Sequence, residues 1–139
     1  MLIGRCVRLN VLISFATPWC PSVNHYYGAA RGGRKFIKAD GQAYRLAVKQ
    51  TAMRHKLKAE PGRLTVWVEA WPPDRRVRDL GNLDKCLCDA LQHAGIIEND
   101  GLIDDLRFVR MPVVKGGLLR IFIYPFKPIE SLESQIAKG

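Results

Sequence analysis

The sequence is short of acid. It carries 13 Asp and Glu against 22 Lys and Arg, a formal charge of +9. It also lacks any apolar run of about 18 residues, so no membrane-spanning helix is expected. Histidine is scarce: His25, His55 and His93 stand apart without zinc-ligand spacing. The four cysteines, Cys6, Cys20, Cys86 and Cys88, make no Cys-x-x-Cys clip. Structural zinc is therefore not expected, and a reduced, cytoplasmic setting is. No internal repeat and no low-complexity tract is present. No Ser/His/Asp or Cys/His arrangement is evident, which argues against a covalent nucleophile. Arg5 and Arg8 precede the apolar "VLISFAT", a faint likeness to a secretory signal. Its apolar core is at the short limit, and Trp-Cys-Pro follows where small residues would mark cleavage. A first strand accounts for that segment better.

What is present describes one domain. A chain of 139 residues, 47% hydrophobic and 25% charged, suits a globular protein with a normal core. The basic surplus fits a nucleic acid, an anionic membrane or mere solubility. The bases do not line one face of a strongly amphipathic helix, which disfavours the membrane. The charge is also segregated. Residues 31–58 hold nine bases against one acid, and residues 79–105 hold seven acids against one base. Solubility alone does not require that separation. A cation-binding site beside a phosphate-binding surface does.

The pattern predicts strands at 8–16 and 63–71, the second ended by Pro72-Pro73. Between them lie an ordered loop rich in Pro, Gly and aromatics, over 17–41, and a helix at 40–58 with Asp40 as N-cap. Leu83, Leu87, Ala90, Leu91 and Ala94 recur at helical spacing and predict a helix at 81–94, stopped by Gly95. "LRFVRMPVV" and "LLRIFIYP" read as two strands joined in a hairpin across Lys115-Gly116-Gly117. Phe108, Val109, Ile121 and Ile123 are the expected core positions there. The fold class is α+β, a small single domain with helices packed on a mixed β-sheet. The domain spans 1–128, and 129–139 is a polar tail.

On the second helix, at about 100° per residue, Asn82, Lys85 and Asp89 fall on one polar face, with His93 on the same side. Asp79 precedes the helix and Asp100 follows it. Carboxylates placed so can hold a hard divalent cation such as Mg²⁺, which takes oxygen ligands and exchanges water for phosphate. Lys85 and the first amides of the helix can stabilise charge on a phosphoryl transition state. Plainer roles compete. Asp79 also suits a helix cap, and Lys85 with Asp89 an i,i+4 salt bridge. Asp84 points away from this face, Asp104 and Asp105 open a strand, and EF-hand spacing is absent. In the early loop, Trp19, Tyr26, Tyr27 and Phe36 lie among Arg31, Arg34, Lys35 and Lys38. Such interleaving suits stacking on unpaired bases, with Trp19 and one tyrosine packed beneath the loop instead. Arg75, Arg76 and Arg78 complete the candidate phosphate contacts, close to the acids.

Four stretches carry a resemblance. "TPWCPSVNHYY" is similar to a Pro-Pro-Ser-x-Asn-x-x-Tyr signature, with Cys20 in place of the first proline. "PDRRVRDLGNLDKCLCDAL" is similar to an Asp-x-Asp-Asn-x-x-Lys motif and its helix. "AGIIENDGLIDD" and "VRMPVVKGG" are similar to a second acidic turn and a closing hairpin. In this order, over about residues 10–126, the chain resembles the RusA family of Holliday-junction resolvases of bacteria and their phages. The resemblance implies a homodimer that binds four-way DNA junctions, cuts symmetric strands and requires Mg²⁺ or Mn²⁺. It implies catalytic roles for Asp79, Lys85 and Asp100, metal binding by Asp79 and Asp100, and a DNA contact at Asn82. Gly81 departs from the pattern, because the best-known members have a second aspartate there. Another acid, Asp89 or Asp104, then completes the metal site, and Asp89 faces the right way. Otherwise the change leaves a junction binder that does not cut, or Gly81 only eases the chain into the helix. A nuclease for RNA, flaps or forks is a further alternative.

Overall fold

The computed structural model describes residues 13–128 and residue 137. The expected strand residues 8–12 and nearly all of the expected tail lie outside the described residues. A four-stranded mixed sheet has the order β1-β6-β4-β5, with β1 at Ile13–Pro18, β4 at Leu64–Trp71, β5 at Ile103–Arg110 and β6 at Leu118–Pro125. Two long helices pack on it: α2, Ala39–His55, and α3, Gly81–His93. No helix among the described residues is long and apolar enough to cross a membrane. The small α+β domain with a mixed sheet is as the sequence predicts.

The alternation in β4 decides which face of the sheet is covered. Leu64, Val66, Val68 and Ala70 are buried, whereas Trp67 is 40% exposed. Ile121 and Ile123 of β6 face the same core, as do Leu83, Cys86, Leu87, Ala90 and Leu91 of α3. From α2 come Tyr44, Val48 and Ala52, spaced by four, so one stripe of the helix meets the sheet. The N-cap is Lys38 rather than the expected Asp40, which lies in the first turn near the positive end of the helix dipole. α3 closes where Gly95 adopts φ +76°, the left-handed conformation a glycine C-cap requires.

Three expectations change. The loop over 17–41 contains a one-turn helix α1, Val23–Tyr26, and a two-stranded hairpin of β2, Tyr27–Ala29, and β3, Lys35–Ile37. The strands beside Lys115-Gly116-Gly117 do not pair with each other. β4 lies between them, parallel to β5 and antiparallel to β6. The chain turns there all the same, but it crosses the end of β4, held by Met111 N–H on the Ala70 carbonyl at 2.8 Å and Val114 N–H on the Pro72 carbonyl at 2.9 Å. Val109, an expected core residue, is 55% exposed, because alternation in β5 sends Phe108 inward and Val109 outward.

Candidate active site and nucleic-acid interface

The segment from Pro72 to Leu80 brings the chain from the end of β4 to the start of α3. One carboxylate organises it. Asp74 accepts two hydrogen bonds from the Arg78 guanidinium, one of them at 3.0 Å, and another from Arg76 N–H at 2.9 Å. The Arg78 hydrogen bond, more than the backbone contribution from Arg76, holds the Asp74 carboxyl well below the usual range. Arg78 also lies 5.9 Å above the Trp19 ring, and Arg110 donates to its carbonyl at 2.6 Å. The next residue, Asp79, is exposed, and its carbonyl accepts the first turn of α3 through Asn82 N–H at 3.1 Å.

Two open clefts flank that start. Asp79 and Asn82 line one of about 580 Å³, with Trp19, His25, Arg76 and Arg78 around them. Lys85, one turn further on, lines a second of about 550 Å³ with Tyr27, Lys35, Phe36 and Lys38. The Lys85 ammonium sits 5.3 Å from the centre of the Tyr27 ring. Burial first, and the charge of Asp89 second, push the Tyr27 phenol up to about 12. Arg31, Arg34, Lys35, Lys38 and Arg75 are exposed, and Arg76 only loosely engages Asp74 at 3.5 Å. Arg78 is different: the Asp74 clamp and Trp19 already hold its guanidinium.

The remaining acids divide sharply. Asp89 points into a network rather than toward Asp79. Its Oδ2 accepts from the Tyr26 hydroxyl, from Arg45 Nε at 2.9 Å and from Arg45 Nη2 at 2.8 Å. Asp104 is paired with Arg63, and Asp105 with Arg107 at 3.1 Å. Among the described residues, Asp79, Asp84, Glu98 and Asp100 are the acids of this segment with no basic side chain on their carboxylates. Asp100 opens a 3₁₀ turn, and its N–H donates to the Gln92 side chain at 3.0 Å, so it sits beside the last turn of α3. From residue 81 to residue 92 the helix rises about 16 Å. The structure thus places Asp79, Asn82 and Lys85 together and Asp100 at the far end. No cluster of three His, Cys, Asp or Glu side chains occurs among the described residues. Gly81 leaves open space, because a Cβ built on it meets nothing within 4 Å.

Sequence reasoning missed two features. The Asp74–Arg78 clamp has an i,i+4 spacing that was there to be read. The Tyr26–Arg45–Asp89 network joins residues 63 and 44 apart and has no local signal.

A profile of the family described as Endodeoxyribonuclease RusA matches residues 17–124. The chain is 44% identical over 113 residues to the crossover junction endodeoxyribonuclease RusA of Shigella sonnei, covering 79% of this chain and 92% of that relative. The Escherichia coli protein of the same name is 43% identical over the same shares. That of Enterobacteria phage 82 is 45% identical over 109 residues, 76% of this chain and 88% of its own. With nearly the whole length of each relative matched, and with the motif residues gathered at the start of α3, the chain belongs to the RusA endodeoxyribonuclease family.

Proposed function

We propose that this protein is a structure-selective DNA endonuclease that resolves four-way junctions as a homodimer, hydrolysing phosphodiesters with the help of Mg²⁺ or Mn²⁺. One observation carries the reading. The exposed Asp79, Asn82 and Lys85 stand between two clefts whose other charged groups are mainly cationic. The relatives are named as crossover junction endodeoxyribonucleases, which supports the substrate.

The basic hairpin and Arg75 and Arg76 hold phosphates of the junction arms. Asn82 and the first N–H groups of α3 orient the scissile phosphate at the positive end of the helix. The Lys85 ammonium neutralises charge that builds on the phosphoryl oxygens as water attacks. A divalent cation held beside Asp79 would supply further charge there and make hydroxide more accessible. The acids of one protomer do not fit such an ion as a set, since Asp79 and Asp100 flank opposite ends of α3 and position 81 offers no ligand. We assign the second carboxylate to Asp100 of the other protomer, so that the dimer closes two sites. Asp89, tied to Arg45 and Tyr26, is a structural residue in this reading.

The test is cleavage of a mobile four-way junction against matched linear duplex, in Mg²⁺, Mn²⁺ and EDTA. Paired, metal-dependent nicks near the crossover are expected, and they disappear in Asp79→Asn. The empty space at Gly81 favours one other reading, a junction binder that does not cut. Salt-sensitive junction binding without cleavage in either metal would establish it instead.

A further inference from the structure

The cleft beside Lys85 has a floor as well as a rim. Phe36 pairs with Gly28 across the β2–β3 hairpin, and its ring lies directly on that glycine. A Cβ at position 28 would stand 2.4 Å from Phe36 Cζ, so only glycine lets the ring rest there. The ring is nonetheless 48% exposed. A large apolar face is therefore held in place by backbone and offered to solvent. Tyr27 also lines the cleft, and the charged groups that line it, Lys35, Lys38 and Lys85, are all ammoniums. Lys38 is itself steadied, its Nζ donating to the Asn24 carbonyl at 2.7 Å.

An apolar aromatic floor ringed by cations matches one ligand chemistry well: a nucleobase out of its stack, with its phosphates on the rim. A base inside intact duplex has both faces covered and cannot reach this floor. At the crossover of a four-way junction, bases can be unstacked at lower cost. We propose that the hairpin cleft receives one unpaired base adjoining the scissile phosphate, stacked on Phe36, while Lys35 and Lys38 hold the phosphate next to it. This rests on the junction-nuclease reading and names the feature of the substrate that the site detects. Lys85 lines the same cleft and lies one helical turn from Asn82, which links the proposed base site to the start of α3.

The experiment uses the full chain and four-way junctions carrying 2-aminopurine at each crossover position in turn, in Ca²⁺ so that binding is read without cutting. The wild type is expected to raise fluorescence at one crossover position and to leave matched duplex unchanged. Phe36→Ala removes that rise and weakens junction binding about tenfold, with duplex binding unaltered. Phe36→Leu keeps an apolar cover over Gly28 but has no stacking face, so it behaves like alanine, whereas Phe36→Trp retains the junction affinity. If Phe36→Leu keeps the wild-type fluorescence and affinity, the ring only props the hairpin and the inference is overturned. The same holds if all variants lose junction and duplex binding equally. Cleavage of junctions by the wild type, run alongside, separates the two readings. Failure there overturns the nuclease reading, and normal cleavage with an inert Phe36 overturns this inference alone.

Discussion

Sharing one cation between two carboxylates sets a strict distance. With ligand oxygens about 2.1 Å from the ion, the two carboxylates must approach within about 4–5 Å. Asp79 and Asp100 fail by a wide margin within a protomer. Asp79 precedes α3, Asp100 is hydrogen-bonded to Gln92, and the helix between rises about 16 Å. A site drawn from two protomers makes a prediction that a single-chain site does not. Asp79→Asn and Asp100→Asn should each be inactive as homodimers. In a heterodimer of the two, one site receives intact Asp79 from one chain and intact Asp100 from the other, and the second site receives neither. Isolated through two affinity tags, that heterodimer should nick a four-way junction at about half the wild-type rate, because one of its two symmetric sites is whole. Paired incisions should be lost, since they need both sites. The assay is a denaturing gel with each strand of the junction labelled. Heterodimers as silent as the parent homodimers, with both variants folded and binding junctions, would refute the shared site.

Other perturbations follow from the same geometry. Gly81→Asp has room for its side chain and places a carboxylate at the start of α3. It should raise stability by about 0.5–1 kcal/mol in denaturant titration and tighten Mg²⁺ binding in calorimetry. Asp89→Ala leaves Arg45, 19% exposed, and the buried Tyr26 hydroxyl without their acceptor. It should cost about 2–4 kcal/mol of stability, whereas Tyr26→Phe should cost about 1. Tyr27 titrates at about 12 in the folded protein against 10.0 as its ordinary value. Its neutral phenol therefore stabilises the fold fully below pH 10 and stops doing so as pH rises through about 12. All four tyrosines are held above the ordinary value, so tyrosinate absorbance should rise late, and Tyr27→Phe should remove one tyrosine's share of that rise.

The parts of the fold legible in sequence are those fixed by short periods. The alternation of β4 and the leucine stripe of α3 each name their buried face without help from the rest of the chain. Partner choice is another matter. Lys115-Gly116-Gly117 marks a turn correctly, yet no turn signal says which strand the chain returns to. Backbone pairing of β6 with β4, 47 or more residues earlier, decides that. The three-residue strands of the hairpin are too short for alternation to register. The site divides in the same way. A helical wheel places Asn82, Lys85 and Asp89 on a polar face, but it cannot see Arg45 arriving from α2 to take the Asp89 carboxylate. The separation of Asp79 from Asp100 was within reach. Thirteen residues of helix between two acids keep them apart unless the chain folds back along it, and Gln92 holds Asp100 at the far end. Position 81 lacks a carboxylate and Asp89 is engaged, and among the described residues Asp79 joins no group of three side chains that could hold a metal ion. In the proposed arrangement a second copy of the chain would supply a further carboxylate through Asp100. The proposed dimer would give the cleavage of two strands its symmetry and would also complete each site.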